Sequence, residues 1–286
     1  VPGILVDVIV EAPDQLQTTA TAYDPAISGE LFRPLHSFRT PEFNVSKIIA
    51  RRVAVEMKAG WAVNIGFGIS ANVPRILLEE GQHGKVTWVI EQGAVGGVPL
   101  LDFKFGCASN AEAFVASPHQ FIYFQAGGFD CSLLSFLEID ADGSVNVSRL
   151  SATPHRTAGA GGFVDITSRA RKIVFSVNFN AGAKMHIEDG KLVIDKEGKI
   201  AKFVPKVDQV SFSGQRAQMQ GQDVTYVTER CVIRLLDDGL TVVEIAPGLD
   251  LRRDVLDQAA TPLRVAADLR QMDSSLFRPE MMGLSL

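Results

Sequence analysis

The sequence is poor in the residues that build disulfide frameworks and metal centres. Its 286 residues include three cysteines, Cys107, Cys131 and Cys231, which are widely spaced and form no C-x-x-C pair. This odd, scattered set argues against a disulfide framework and a zinc site, and it is typical of a reducing compartment. The five histidines show neither H-x-x-x-H nor H-E-x-x-H spacing, so we predict no metal site.

Long apolar runs and a strong net charge are also missing. No apolar segment approaches the length of a membrane span, and no secretory leader is recognisable. The net charge of −5 gives no general attraction to nucleic acid. We therefore expect a cytoplasmic protein with neither a membrane nor a nucleic-acid partner. There is also no G-x-S-x-G elbow and no Walker-type phosphate loop.

The order of the predicted elements favours an α/β fold. Residues 61–65 and 86–90 are short apolar runs typical of buried strands, and Pro74 opens a short helix between them. Strand, helix and strand in this order indicate a βαβ unit and a parallel sheet. A helix capped by Asn44 or Ser46 precedes this unit, and residues 11–41 are predicted to form an extended arm.

Further strands are predicted at 4–10, 121–124, 136–139, 172–177 and 207–212, a hairpin at 232–236 and 240–245, and helices at 251–258 and 263–272. We predict that residues 1–286 form one domain, an open, mostly parallel sheet flanked by helices.

A glutamate lies where α/β proteins bind ligands. Glu91 directly follows the predicted strand 86–90, and Gly93, Gly96 and Gly97 come soon after it. In an open α/β sheet, ligands bind beyond the carboxyl ends of the strands. Glycines permit unusual dihedral angles and a close approach of the backbone to a bulky ligand. Glu91 is therefore a candidate catalytic residue, and a glutamate that only caps the strand end or faces solvent is the alternative interpretation.

A dinucleotide site is the competing interpretation of this region. Gly66, Gly68 and Ala71 form a G-x-G-x-x-A pattern after a strand, and Glu91 lies where the fingerprint has its ribose-binding acid. Pro74 counts against this interpretation because it shortens the helix that should meet the pyrophosphate. The fingerprint also leaves the glycines after Glu91 without a role.

Residues 91–99, Glu-Gln-Gly-Ala-Val-Gly-Gly-Val-Pro, resemble the active-site segment of family I coenzyme A transferases, in the acetate/propionate branch. The resemblance continues in order through 127–130, 142–148, 159–163, 212–214, 226–230 and 244–250. The loop 64–69, Asn-Ile-Gly-Phe-Gly-Ile, is similar to a loop bordering the active site of that family. This resemblance accounts for more residues than the dinucleotide fingerprint does.

The resemblance implies the CoA-transferase (NagB/RpiA-like) fold and a transfer of CoA between a short-chain acyl-CoA and a carboxylic acid. It makes Glu91 the nucleophile of a ping-pong reaction through a glutamyl-CoA thioester, and it places Gly161, Gly162 and Asn64 in the oxyanion-binding part of the site. The implied CoA contacts are Gly66, Gly68, Gly93, Gly96, Gly97, Gly159, Phe163 and Lys184. CoA is expected as a substrate, and no prosthetic group is expected.

The matching segments belong to the second, β-subunit-like half of these enzymes. We therefore expect an N-terminal half as a partner, absent from this chain, and a homo-oligomer. Departures from the family pattern at 123–130 and 178–183 leave the acyl group open. An acyl-CoA hydrolase on the same scaffold, and a module that only binds CoA or a dinucleotide, remain alternatives.

Overall fold

The computed structural model describes residues 2–15, 21–153, 155 and 157–286. Its helices in these residues are α1 (Pro25–Ser28), α2 (Val45–Ala54), α3 (Val73–Glu79), α4 (Ser117–Gln125), α5 (Phe163–Arg169), α6 (Gly214–Met219) and α7 (Leu251–Asp254). Its strands are β1 (Ala62–Ile65), β2 (Thr87–Val89), β3 (Ala94–Val95), β4 (Val98–Pro99), β5 (Ala108–Ser109), β6 (Ala113–Phe114), β7 (Cys131–Leu134), β8 (Glu138–Ile139), β9 (Val145–Asn146), β10 (Lys172–Ser176), β11 (Asn180–Ala181), β12 (Lys184–Glu188), β13 (Lys191–Lys196), β14 (Ile200–Ala201), β15 (Asp223–Val227), β16 (Cys231–Leu236), β17 (Gly239–Ile245) and β18 (Arg264–Gln271).

One ten-stranded sheet organises the chain, in the order β18-β17-β16-β15-β10-β7-β1-β2-β3-β6. The inner strands from β15 to β2 run parallel to one another. Antiparallel strands extend the sheet at both sides, β16 and β17 beyond β15, and β3 and β6 beyond β2. The predicted open, mostly parallel α/β sheet is confirmed, and so is the hairpin near the end of the chain.

The inner strands are buried on both faces, which is why their sequences are apolar at consecutive positions. On β10, Val174 points into a core that includes Ile48 and Val53 of α2. Its neighbours Ile173 and Phe175 point into a second core, where the Phe175 ring stacks on that of Tyr226 at a centroid distance of 5.4 Å. Layers therefore cover both faces of the sheet.

The helices that pack on the first core begin where the sequence predicts. The Asn44 side chain accepts a hydrogen bond from the Lys47 backbone N–H at 3.0 Å and caps α2. Pro74 lies in the first turn of α3, where its missing N–H costs no hydrogen bond. Strand β1, helix α3 and strand β2 form the predicted βαβ unit, with Asn64 opposite Val89.

Two predicted elements have the wrong type. Residues 121–124 belong to helix α4, whose first turn contains Pro118, rather than to a strand. Residues 264–271 form strand β18 rather than a helix, because β18 pairs in parallel with β17 and extends the sheet. On an exposed edge strand, an amphipathic sequence pattern does not by itself distinguish a strand from a helix.

Three further predictions need correction. Residues 4–10 form no strand, and only 3–5 make a 3₁₀ turn, because no described strand lies beside them. At 207–212 the structure has a single bridge, from Phe212 to Val145. At 136–139 only Glu138–Ile139 is extended, whereas the unpredicted strand Cys131–Leu134 lies inside the sheet.

The arm predicted at 11–41 contains α1 and a 3₁₀ turn at Leu35–Ser37, and its residues 16–20 lie outside the described part of the chain. The predicted helix 251–258 is α7 followed by a 3₁₀ turn. Across the described residues, none of the helices has the length and apolar character needed to span a bilayer.

Candidate active site

Glu91 leaves the carboxyl end of β2 in a tight turn. The Gly93 N–H donates to the Ile90 carbonyl at 2.9 Å, and the chain then returns as β3. Gly93 has a φ of 114°, and a Cβ at this position would lie 1.9 Å from the Val115 carbonyl oxygen. Only glycine fits such a turn, which therefore places Glu91 at the edge of the sheet where the parallel strands end.

The glycine loop before α5 meets the Glu91 carboxylate. Gln92 Nε2 donates a hydrogen bond to Glu91 Oε1 at 3.2 Å, and the backbone N–H of Gly162 lies close enough to the Glu91 carboxylate to lower its pKa. A Cβ on Gly162 would lie 2.5 Å from Glu91 Oε2, so the contact depends on the absence of a side chain there. Burial raises the pKa of Glu91 above its ordinary 4.5, and the nearby Gly162 N–H and the hydrogen bond from Gln92 offset part of this rise.

A cavity of about 300 Å³ opens onto Glu91. Its wall consists of the loop after β1, the loop before α5 and several side chains from the second core. Among the predicted site residues, the wall contains Asn64, Gly66, Glu91, Gly159, Gly161, Gly162 and Phe163. Two loops that are far apart in sequence therefore meet around one carboxylate.

The Asn64 side chain is fully buried and ties three strands together. Its Nδ2 donates to the Val89 carbonyl at 3.1 Å, and its Oδ1 accepts from Ser132 Oγ at 3.2 Å. Asn64 thereby holds the strand that ends at Glu91. Its oxyanion role stays a prediction, because these bonds already engage both ends of the amide.

Other predicted CoA contacts lie away from the cavity wall. Gly96 and Gly97 have positive φ values and pack against Glu112 and the Ser109 backbone. Gly93 is used by the turn described above, and Gly68, with a φ of 112°, packs on Ser135. Lys184 is exposed at the start of β12. The CoA-binding roles of these residues stay predictions.

The loop after β1 also departs from the dinucleotide fingerprint. A 3₁₀ turn at Ile69–Asn72 separates Gly68 from α3, whereas the fingerprint needs a helix that begins at the glycines. No group of histidine, cysteine, aspartate and glutamate residues in the described part of the chain is arranged to hold a metal ion.

Sequence reasoning missed the contribution of helix α4. Ser117 Oγ donates to the Glu91 carbonyl oxygen at 3.3 Å, and the Phe121 ring packs beside Gly162. The available signal was Ser117-Pro118, since a proline in the first turn is a helix start. Phe105 in the cavity wall carried no signal that marks a site, and Val147 lies in the resembling segment 142–148 but was not predicted as a site residue.

Comparison with solved structures gives the class of the fold. The acyl-CoA transferase YdiF of Escherichia coli O157:H7, solved as a thioester complex with CoA, superposes with a TM-score of 0.86 and 36% identity. The match covers 100% of this chain and 53% of that one. The chain thus has the α/β fold of the CoA-transferases.

Sequence comparison shows which CoA-transferases this chain resembles. The chain is 41% identical to the caffeate CoA-transferase of Acetobacterium woodii, over 99% of its own length and 55% of that relative. It is 27% identical to the β subunit of acetate CoA-transferase from Escherichia coli K12, over 80% of this chain and 97% of the subunit. No protein-family model matches. The chain resembles the β-subunit-like half of family I CoA-transferases and spans about half the length of the caffeate relative.

Proposed function

We propose that this chain is the catalytic domain of a CoA-transferase that moves CoA between a short-chain acyl-CoA and a carboxylic acid, with Glu91 as the covalent nucleophile. The observation that carries the proposal is the Glu91 carboxylate, which follows a sheet strand, borders a cavity and lies against the backbone of Gly162. The relatives that are named CoA-transferases support this reaction class. The solved thioester complex of a relative supports a covalent route.

The proposed reaction begins with transfer of the acyl group from the sulfur of CoA to Glu91, which forms an acyl-glutamyl anhydride. A carboxylate oxygen of Glu91 adds to the thioester carbon of the acyl-CoA, the C–S bond breaks, and CoA leaves as its thiolate. The thiolate then adds to Cδ of Glu91, and the bond from Cδ to the acyl carboxylate oxygen breaks. The first acid leaves, and a glutamyl-CoA thioester remains. An acceptor carboxylate reverses these steps and leaves as the new acyl-CoA.

A carboxylate suits the first step because it is ionised near neutral pH and needs no activating base. The Gly162 N–H serves the later steps. As the thiolate adds to Cδ, negative charge moves onto the glutamyl oxygen, to which a backbone N–H in this position donates. The partial burial of Glu91 limits hydrolysis of the anhydride and of the thioester, since water is partly excluded.

We further propose that CoA and its thioesters are substrates rather than resident groups, and that the Gly66 and Gly159 loops and Phe163 bind them. The N-terminal half of the enzyme, as a separate or fused partner, closes the cavity, and the assembled enzyme is a cytoplasmic homo-oligomer. Remote contacts with the CoA arm then supply binding energy that orients the thioester against Glu91.

The test is a trapping experiment on the enzyme assembled with its N-terminal half. The enzyme is incubated with acetyl-CoA, quenched in acid, digested and mapped by mass spectrometry. We expect a CoA adduct on the peptide that contains Glu91, discharged by acetate or propionate and absent from Glu91→Gln. A folded enzyme that binds CoA without forming an adduct would refute the proposal. Turnover that needs no acceptor acid would instead indicate a hydrolase.

A further inference from the structure

Helix α4 turns one face toward the catalytic carboxylate. Ser117, Phe121 and Gln125 follow one another at intervals of four residues and therefore lie on one side of the helix. Ser117 Oγ bonds to the Glu91 carbonyl oxygen at 3.3 Å. At the other end, Gln125 Nε2 donates to Asp165 Oδ1 of α5 at 2.7 Å. The helix thus links the strand that carries Glu91 to the helix that follows the glycine loop.

Phe121, between these two tethers, touches the site itself. A Cβ on Gly162 would lie 2.6 and 2.8 Å from two atoms of the Phe121 ring and 2.5 Å from Glu91 Oε2. The ring and the carboxylate therefore flank the same small space. The ring is half-buried and packs edge-to-face on the fully buried Phe124, with centroids 6.0 Å apart. This contact fixes the orientation of the ring.

Phe121 is absent from the cavity wall, whereas Gly162 and Glu91 both belong to it. An apolar ring in this position packs against the Gly162 backbone on which the Glu91 carboxylate also lies. Removing the ring would open a second route by which water reaches Glu91.

We propose that Phe121 is a positioning residue that excludes water from the glutamyl-CoA thioester and holds Gly162 against it. This inference rests on the proposed transferase function. In the unwanted reaction, a water oxygen adds to Cδ of Glu91 and the C–S bond breaks. CoA leaves as the thiol with one proton of the water, and the other proton is released as the Glu91 carboxylate forms again. Phe121 disfavours this reaction relative to transfer.

The test measures the lifetime of the glutamyl-CoA adduct without an acceptor acid, in the complete enzyme. Adduct formed from acetyl-CoA is freed of small molecules and followed by acid quench and mass spectrometry. We expect Phe121→Ala to shorten its half-life on the order of tenfold or more, and Phe121→Leu to give an intermediate value. Ile122→Ala is the matched control, because Ile122 lies on the same helix with 60% of its surface exposed.

The ratio of hydrolysis to transfer is the readout that a merely structural role would not change. Phe121→Ala should raise this ratio. The controls Ile122→Ala and Phe121→Leu should keep a thermal unfolding midpoint near that of the wild type. If Phe121→Ala does not fold, Phe121→Leu and Gln125→Ala carry the test, since Gln125→Ala loosens the helix without removing apolar surface.

Failure of the Phe121 proposal can be distinguished from failure of the proposed transferase function. An adduct in the wild-type enzyme with an equal half-life in Phe121→Ala overturns the role of Phe121 and leaves the transferase function standing. An equal shortening in Ile122→Ala also overturns it, because the effect would then belong to the whole helix. A wild-type enzyme that binds CoA and forms no adduct overturns the proposed function, and the role of Phe121 with it.

Discussion

Replacing Gly162 by alanine is the sharpest test of the site geometry. Gly162 has a φ of −77° and a ψ of 2°, which alanine can adopt, so the backbone itself does not forbid the change. The added methyl would lie 2.5 Å from Glu91 Oε2, with the Phe121 ring at 2.6 Å on its other side. An ordinary contact needs 3.4 Å or more, so the carboxylate must move by about 0.9 Å, the difference between 3.4 and 2.5 Å.

A displacement of this size is costly for the nucleophile that we propose. A misplacement of about 1 Å typically reduces the rate about 100-fold, which corresponds to about 2.7 kcal/mol of activation free energy. We therefore expect Gly162→Ala to lower kcat for CoA transfer about 100-fold while the protein remains folded. Steady-state transfer from acetyl-CoA to propionate measures the rate, and thermal unfolding monitors the fold.

Gly159→Ala is the comparison within the same loop. Gly159 also borders the cavity, but a Cβ there would meet no atom within 4 Å. We expect kcat to stay within about threefold of the wild-type value, with any larger change confined to the KM for acyl-CoA. Equal kcat values for wild type and Gly162→Ala, in a folded protein, would refute the contact between Gly162 and the Glu91 carboxylate.

Three more measurements test other parts of the structure. Because burial raises the pKa of Glu91, its ionised carboxylate is lost as the pH falls through a value above 4.5. We expect the acid limb of kcat/KM there, and a limb at or below 4.5 would contradict this environment. The buried Glu80 carboxylate accepts hydrogen bonds from the backbone N–H groups of residues 282, 283 and 284. We expect Glu80→Gln to lose about 2 kcal/mol of unfolding free energy in urea, and an unchanged urea midpoint would refute this anchoring of the last residues. Gly93→Ala should lose more than about 3 kcal/mol of unfolding free energy or fail to fold, because its Cβ would meet the Val115 carbonyl. Gly239→Ala is the control, since Gly239 has a similar φ of 116° and its Cβ would come no nearer than 4.0 Å to another atom, so it should lose only about 1–2 kcal/mol; equal losses would show that backbone strain alone matters.

The centre of the fold was predictable because local signals and tertiary structure agree there. The Asn44 cap, Pro74 in a first turn and the apolar runs at 61–65 and 86–90 all favour the elements that the structure has. A strand buried on both faces has no polar alternation to misread, and a βαβ unit has one favoured arrangement. The parallel core of the sheet follows from these features.

The edges were less predictable because the partner decides the element there. Strand β18 carries charged residues along an exposed edge, and only its pairing with β17 makes it extended. The run at 4–10 has strand-like residues and no described neighbour, so the same pattern leaves it without sheet structure. Such propensities depend on context more than helix caps do.

In the site, too, some features were predictable from the sequence and others were not, as its glycines show. Gly93 and Gly162 both lie in glycine-rich segments that look alike in the sequence. Gly93 forms a tight turn against the Val115 carbonyl, whereas Gly162 leaves room for the carboxylate of Glu91. A sequence can mark a glycine as necessary without showing which group approaches it. That group is set by helices α4 and α5, which bring Phe121 and Gly162 to the end of β2 from distant parts of the chain. The position of Glu91 beside a cavity at the end of a strand was therefore predictable from the sequence, whereas the residues around its carboxylate depend on the packing of two helices.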